Sequence, residues 1–234
     1  MNRTIRTTVL ALLACALAAP SHAGPVIDWD PAYFYTTSSG VTATNAPFGS
    51  TLFIVGTVSV FGPPLQFLNA SDPTKDYTFY VHGMTSLGTT PTAVPPLGTA
   101  YATTYTSGVI ELYEGTPRDA AFDPNPPNTN VPGTFTNGTL LLSGTMTNFY
   151  TQTNDFSGFS TGNAEGNIAW TGGSLLPNVS PGGHPCPSLF TGGLSWNVGV
   201  VIPGYLFRHD GKIDLECPTP ARPSTWGKIK ALYR

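Results

Sequence analysis

The sequence predicts an all-β fold, an antiparallel β-sandwich of the jelly-roll kind with a short C-terminal tail, and three observations carry that prediction. Thr, Val, Tyr and Phe, which suit a pleated surface, fill the segments between turn signals. The 26 glycines and 23 prolines punctuate the chain at short intervals, as they do between many short strands. Charged residues make up only 10% of the chain against a usual value of about 25%. The 40% of hydrophobic and 12% of aromatic residues are enough to bury a core, which argues against a disordered Gly/Pro-rich chain.

Residues 1–23 read as a signal peptide. Arg3 and Arg6 form a basic start, an apolar run extends from Val9 to Ala19, and Ser21-His22-Ala23 supplies small residues at the cleavage positions. The apolar run is well short of the roughly 20 residues that span a bilayer as a helix. Export to an extracellular or cell-surface location follows, with a mature chain starting at Gly24 and no transmembrane segment. Leu12-Leu13-Ala14-Cys15 is the rival, a lipoprotein-like box that would leave Cys15 lipidated.

The remaining length suits one large all-β domain over residues 24–218. Strands are expected at Leu52–Val60, Tyr77–His82, Tyr101–Thr106, Val109–Glu114, Thr139–Tyr150, Asn167–Leu176 and Leu189–Ile202. Thr116 to Gly133, with its five prolines, is a surface loop. A hairpin is expected over Tyr205–Glu216, because Asp210-Gly211 suits the two central positions of a type I′ turn. Its register sets Leu206 against Leu215 and Arg208 against Ile213.

Two cysteines remain once the leader is removed, Cys186 and Cys217. In an oxidising compartment an even pair reads as a disulfide, stabilising by roughly 3–4 kcal/mol through loop closure. After Cys217 a proline-rich linker leads to a basic amphipathic tail within residues 219–234. Trp226, Ile229 and Tyr233 share one face of a short helix there. So short a helix is marginal alone, and either docks on the body or orders on a partner.

The body is acidic: from Asp28 to Glu216 its only basic residues are Lys75, Arg118, Arg208 and Lys212. That balance excludes nucleic acid as a partner, since phosphate binding needs a basic footprint. Candidate chemistry is sparse. Gly158-Phe159-Ser160-Thr161-Gly162 matches a nucleophile pattern, but the glycine-rich segment after it cannot start the helix that pattern requires. The histidines show no local zinc spacing, and His82, His184 and His209 read as solvated. Glu114, Asp119, Asp123 and Asn125 form the densest set of oxygen ligands and are candidates for a calcium ion; no other cofactor is expected. Trp170 and Trp196, with the tyrosines, are candidates for sugar stacking on a sheet face.

Gly108-Val109-Ile110-Glu111-Leu112-Tyr113-Glu114, a polar loop, and then Gly133-Thr134-Phe135-Thr136-Asn137-Gly138-Thr139-Leu140-Leu141-Leu142-Ser143-Gly144 carry a likeness. The stretch resembles uncharacterised exported bacterial proteins of the PEP-CTERM-anchored kind. The Pro-Glu-Pro signature and apolar span of that family are not in this sequence, so the resemblance implies export and not sorting. The expected function is a non-catalytic secreted or cell-surface protein with a structural, matrix or adhesive role. Its partner would be an extracellular glycan or a surface protein. A carbohydrate-binding module is the alternative, and a secreted hydrolase is a more distant one.

Overall fold

The computed structural model describes residues 25–122, 132–156, 159–197 and 199–216. They form nine strands: β1 (Pro25–Tyr35), β2 (Thr51–Phe61), β3 (Asp76–Val94), β4 (Gly98–Tyr105), β5 (Gly108–Gly115), β6 (Thr139–Phe156), β7 (Phe159–Gly172), β8 (Ser188–Ser195) and β9 (Phe207–Leu215). Two one-turn helices, α1 (Gly133–Thr136) and α2 (Leu176–Val179), sit in the connections. The all-β expectation holds at this level. The sandwich does not.

Except for β4 and β5, strands consecutive in sequence pair antiparallel, and β1 pairs with both β2 and β9. β4 and β5 run in line between β3 and β6 and share one place in the sheet. The result is a closed up-and-down barrel with eight strand positions. Alternation along a strand fixes which side chains face inward but is silent on whether a sheet closes on itself or stacks on another. Closure here depends on β1, whose Asp28, Asp30 and Pro31 hide it from a periodicity reading; the ladder skips around Asp30 and Pro31 as a bulge.

The predicted hairpin at Asp210-Gly211 is also corrected. β9 runs straight through both residues, pairing Gly211 with Gly192 on β8 and with Trp29 on β1. Gly211 is required by space, not by a turn: a Cβ there would stand 2.6 Å from the Thr191 carbonyl oxygen and 3.0 Å from Trp29 Cζ2. β7 begins earlier than expected and β8 ends earlier, and residues 199–206 form a loop before β9.

An eight-strand barrel is just wide enough for side chains to fill, and this one is filled. Trp29, Phe34, Phe79, Met146, Phe149, Trp170 and Phe190 are buried in one inner cluster. Trp29 Nε1 donates to His209 Nδ1 at 3.1 Å, and the His209 ring stacks on Phe190 with centroids 5.2 Å apart. His209 is therefore a core residue with no exposure, not the solvated one expected from the sequence. Burial pushes its pKa down to about 3, so the ring is neutral. With Nδ1 accepting from Trp29, the ring proton sits on Nε2, against the backbone of Gly192.

Both ends of the barrel are stopped. At one end the 42–46 segment is tied down by Ala46 N–H to Thr89 Oγ1 (2.8 Å), Ser86 Oγ to the Ala46 carbonyl (2.8 Å) and Thr153 Oγ1 to the Ala43 carbonyl (3.0 Å). At the other, Leu65 and Val179 are buried against the same core. Outward positions on β6 to β9 carry Thr145, Gln152, Asn163, Asn167, Thr191, Arg208 and Lys212. That is the reverse of an outer-membrane barrel, whose apolar band faces out.

Candidate functional site on the outer wall

With the interior occupied, the chemistry available to other molecules lies on the outside. There the wall made by β1, β2, β3 and β5 differs from the rest. Tyr33 and Tyr35 point outward from β1, with Phe53 and Val55 from β2 and Tyr80 from β3, and they form a second apolar cluster with Tyr205 and Phe135. Two connections fold over part of it. Phe122 packs edge-on against Tyr33 at 4.9 Å and Phe135 lies 5.0 Å from Phe122; from the other side Tyr205 lies 4.9 Å from Tyr33. Buried Asp76 holds the first connection in place, its Oδ2 accepting the N–H groups of Asp119 (2.9 Å) and Ala120 (2.7 Å).

The rings continue as a stacked row across three strands, in which Tyr35 is buried and Phe53, Tyr80 and His82 are half-buried. Tyr35 and Phe53 lie 5.1 Å apart at 22°, Phe53 and Tyr80 6.3 Å apart at 6°, and Tyr80 and His82 4.8 Å apart at 17°. Such cross-strand aromatic pairs fix one another's rotamers. The row ends at polar groups: Glu111 Oε2 lies 3.4 Å from His82 Nε2 and accepts from the Tyr113 hydroxyl at 2.9 Å. Burial raises the Tyr35 and Tyr80 hydroxyls above the usual phenol range; Tyr113 is raised by burial and by donating to Glu111. All three phenols stay protonated at neutral pH.

At the other margin of the wall is a shallow groove of about 630 Å³, lined by Tyr33, Trp196, Asn197, Val201, Ile202 and Tyr205 among others. Trp196 is half-buried and meets Phe207 edge-on at 6.0 Å. Among the described residues, no charged side chain lines the groove.

The residues singled out in the sequence fall in different places. Trp196 is at the groove. Trp170 is only 1% exposed and donates from Nε1 to Ser188 Oγ at 2.9 Å; it floors an apolar concavity of about 540 Å³ beside α2 but presents no open ring face. The sugar-stacking role expected for it is withdrawn.

Of the calcium set, the described residues are Glu114 and Asp119, and each is engaged by other side chains. Glu114 accepts from Lys75 Nζ (2.7 Å) and the Tyr77 hydroxyl (2.9 Å), and its pKa is lowered by Lys75 first. The Asp119 carboxylate instead accepts from Asn137 Nδ2 at 2.8 Å. Asp123 and Asn125 lie outside the described residues, among which no group of three or more His, Cys, Asp or Glu is arranged to hold a metal ion.

Ser160 sits within β7 opposite Asp155, not on a strand-to-helix elbow. Cys186 is 1% exposed, and its N–H donates to the Val179 carbonyl at 3.1 Å. Cys217, the leader, and the tail residues Trp226, Ile229 and Tyr233 lie outside the described residues.

The residues that make the wall, Tyr33, Tyr35, Phe53, Tyr80 and Tyr205, were not singled out one by one in the sequence. Their signal is parity: each alternates with an inward residue of its strand or borders the groove, and it becomes readable once the inward set is known. Comparison with protein-family models, with curated proteins and with solved structures finds no match.

Proposed function

We propose that this chain is an exported, non-catalytic barrel that works by contact, as a structural, matrix or adhesive component of a cell surface, with its outer aromatic wall as the contact face. One observation carries the reading: the barrel interior is packed solid, while on its outer side Phe53, Tyr80 and His82 stand half-exposed on a base of buried tyrosines. Tyrosines offer large rigid contact area with a hydrogen-bond donor at little entropic cost, which is why they are favoured where proteins touch other molecules. A pull-down onto the producing cell's envelope and matrix material tests it. The full chain should be retained, and Phe53→Ser/Tyr80→Ser should reduce retention by about tenfold or more, a typical cost of losing anchor residues. Equal retention of parent and variant would remove the wall from the account.

The groove favours carbohydrate as the material touched. An uncharged trough with an indole, two phenols and an Asn side chain suits a neutral sugar, which offers apolar C–H faces and hydroxyls together. On a glycan array, Trp196→Ala should abolish any sugar signal given by the parent. A parent that binds no glycan would leave a protein surface as the partner.

The Cys186–Cys217 disulfide belongs to the same proposal. Ser188 pairs with Leu215, and the Glu216 N–H to Pro187 carbonyl bond at 2.8 Å extends that register. We infer that Cys217, the next residue after Glu216, carries this register on to Cys186.

A further inference from the structure

Closing a barrel removes the edges of its sheet, yet one rim stays open. The ladder between β2 and β3 ends at Thr51 and Thr85, whereas β3 continues to Val94. Past Ser86, whose backbone is taken by Gly49 and Ser50, the one strand that pairs with β3 among the described residues is β4. Thr90, Pro91, Thr92 and Ala93 are exposed. Pro91 has no N–H to give, so its pairing with Tyr101 must run through hydrogen bonds of its neighbours Thr90 and Thr92. The backbone of Thr89, Pro91 and Ala93 therefore faces the open side, and no backbone partner is found for it among the described residues.

This rim has the makings of a strand-addition site. Residues 87–97 contain no Lys, Arg, Asp or Glu, so the guard charges that commonly protect edges are missing. Its threonines favour extended backbone. Two large apolar side chains stand exposed at its base, Leu87 at 51% and Phe48 at 79%, brought near each other by the Gly49 N–H to Ser86 carbonyl bond at 2.8 Å. An identical rim on another molecule meets no charge repulsion and offers the same free carbonyls and N–H groups. The single obstacle is Pro91, which lacks a donor in the middle of the outward-facing set and puts its ring where a partner strand would approach.

We propose that the rim of β3 from Thr89 to Ala93 is a pairing surface for a second copy of this chain, held closed by Pro91. Restoring the missing N–H opens it. Sedimentation equilibrium of the full chain should find the parent monomeric, and Pro91→Thr and Pro91→Ala associated into dimers at least about tenfold more tightly. Adding Ala93→Lys to either variant puts a charge on the rim and should return it to monomer. Circular dichroism and a thermal melt establish that each variant is folded.

Folded Pro91→Thr and Pro91→Ala that stay as monomeric as the parent would overturn the proposal. So would a dimer that survives Ala93→Lys, or a parent already dimeric. If neither variant folds, Pro91 is a requirement of the barrel rather than a guard of its rim, and the proposal falls equally.

Discussion

Lowering the pH from about 6.5 toward 3 is expected to destabilise this protein by up to about 1.4 kcal/mol per pH unit through His209 alone. The folded ring is enclosed by Trp29, Phe34 and Phe190, and its pKa is pushed from 6.5 down to about 3. Between those values the unfolded chain binds a proton that the folded barrel refuses. Stability is therefore complete above about pH 6.5 and is lost as pH falls through that window. Protonating the ring in place would also break the bond from Trp29 Nε1, because Nδ1 would cease to accept.

His209→Gln keeps an acceptor without a titrating ring. The variant should be less stable than the parent at pH 7.5, having lost the aromatic contacts, yet show a flatter pH profile. Chemical denaturation midpoints from pH 7.5 to 4 measure both slopes. The difference between them isolates His209 from carboxylates such as Glu114, which is common to both proteins. Parallel slopes would mean that the ring is not sealed in the core.

The second large effect is steric. Gly56 on β2 faces Ala32 of β1 and Phe79 of β3 in the ladder, and the Phe79 ring lies across it on its way to Trp29. A Cβ at position 56 would fall 2.3 Å from Phe79 Cε1 and 2.8 Å from Ala32 Cβ. Neither neighbour is the loose end of a flexible chain, and real contacts are never so short. Gly56→Ala should cost about 2–4 kcal/mol, at the upper end for overpacking. Replacing Phe79 by Leu costs stability alone but makes room for the new methyl group. The double variant should therefore recover at least about 1 kcal/mol relative to the sum of the singles. Strict additivity would show that the ring does not rest on the glycine.

These two sites mark what a sequence can and cannot disclose here. The inward and outward parity of β3, β5 and the later half of β2 is plain in the letters, because buried apolar residues alternate there with Thr, Glu, Ser or aromatic residues with polar tips. Glycine misleads. At 210–211 it suggests a turn, and before position 167 it hides the first half of β7, where Gly166 lies under Phe149. In each case glycine makes room for an aromatic ring inside a narrow barrel, and that demand exists only in three dimensions. His209 fails for the same reason: a polar letter beside Asp and Gly gives no hint of a ring clamped among aromatics.

The contact face was less legible still. Trp196 was identified by its chemistry, but Tyr33, Tyr35, Phe53 and Tyr80 come from three strands and become one row only through the register of β1 on β2 and β2 on β3. The partners of Glu114 and Asp119 were hidden for a complementary reason. Lys75, Tyr77 and Asn137, distant in sequence from most of the set, take up the oxygens of Glu114 and Asp119.

Amide hydrogen exchange along β1 and β9 is the most direct test of the closed and filled barrel on which the outer-wall function depends. In a closed barrel both strands are paired on two sides, so the amides of Ile27, Phe34, Phe207 and Ile213 should exchange as slowly as those in the middle of β6. Rapid exchange along β1 and β9 against a protected β6 would mean that these strands are open edges, and that the sheet does not close around its core.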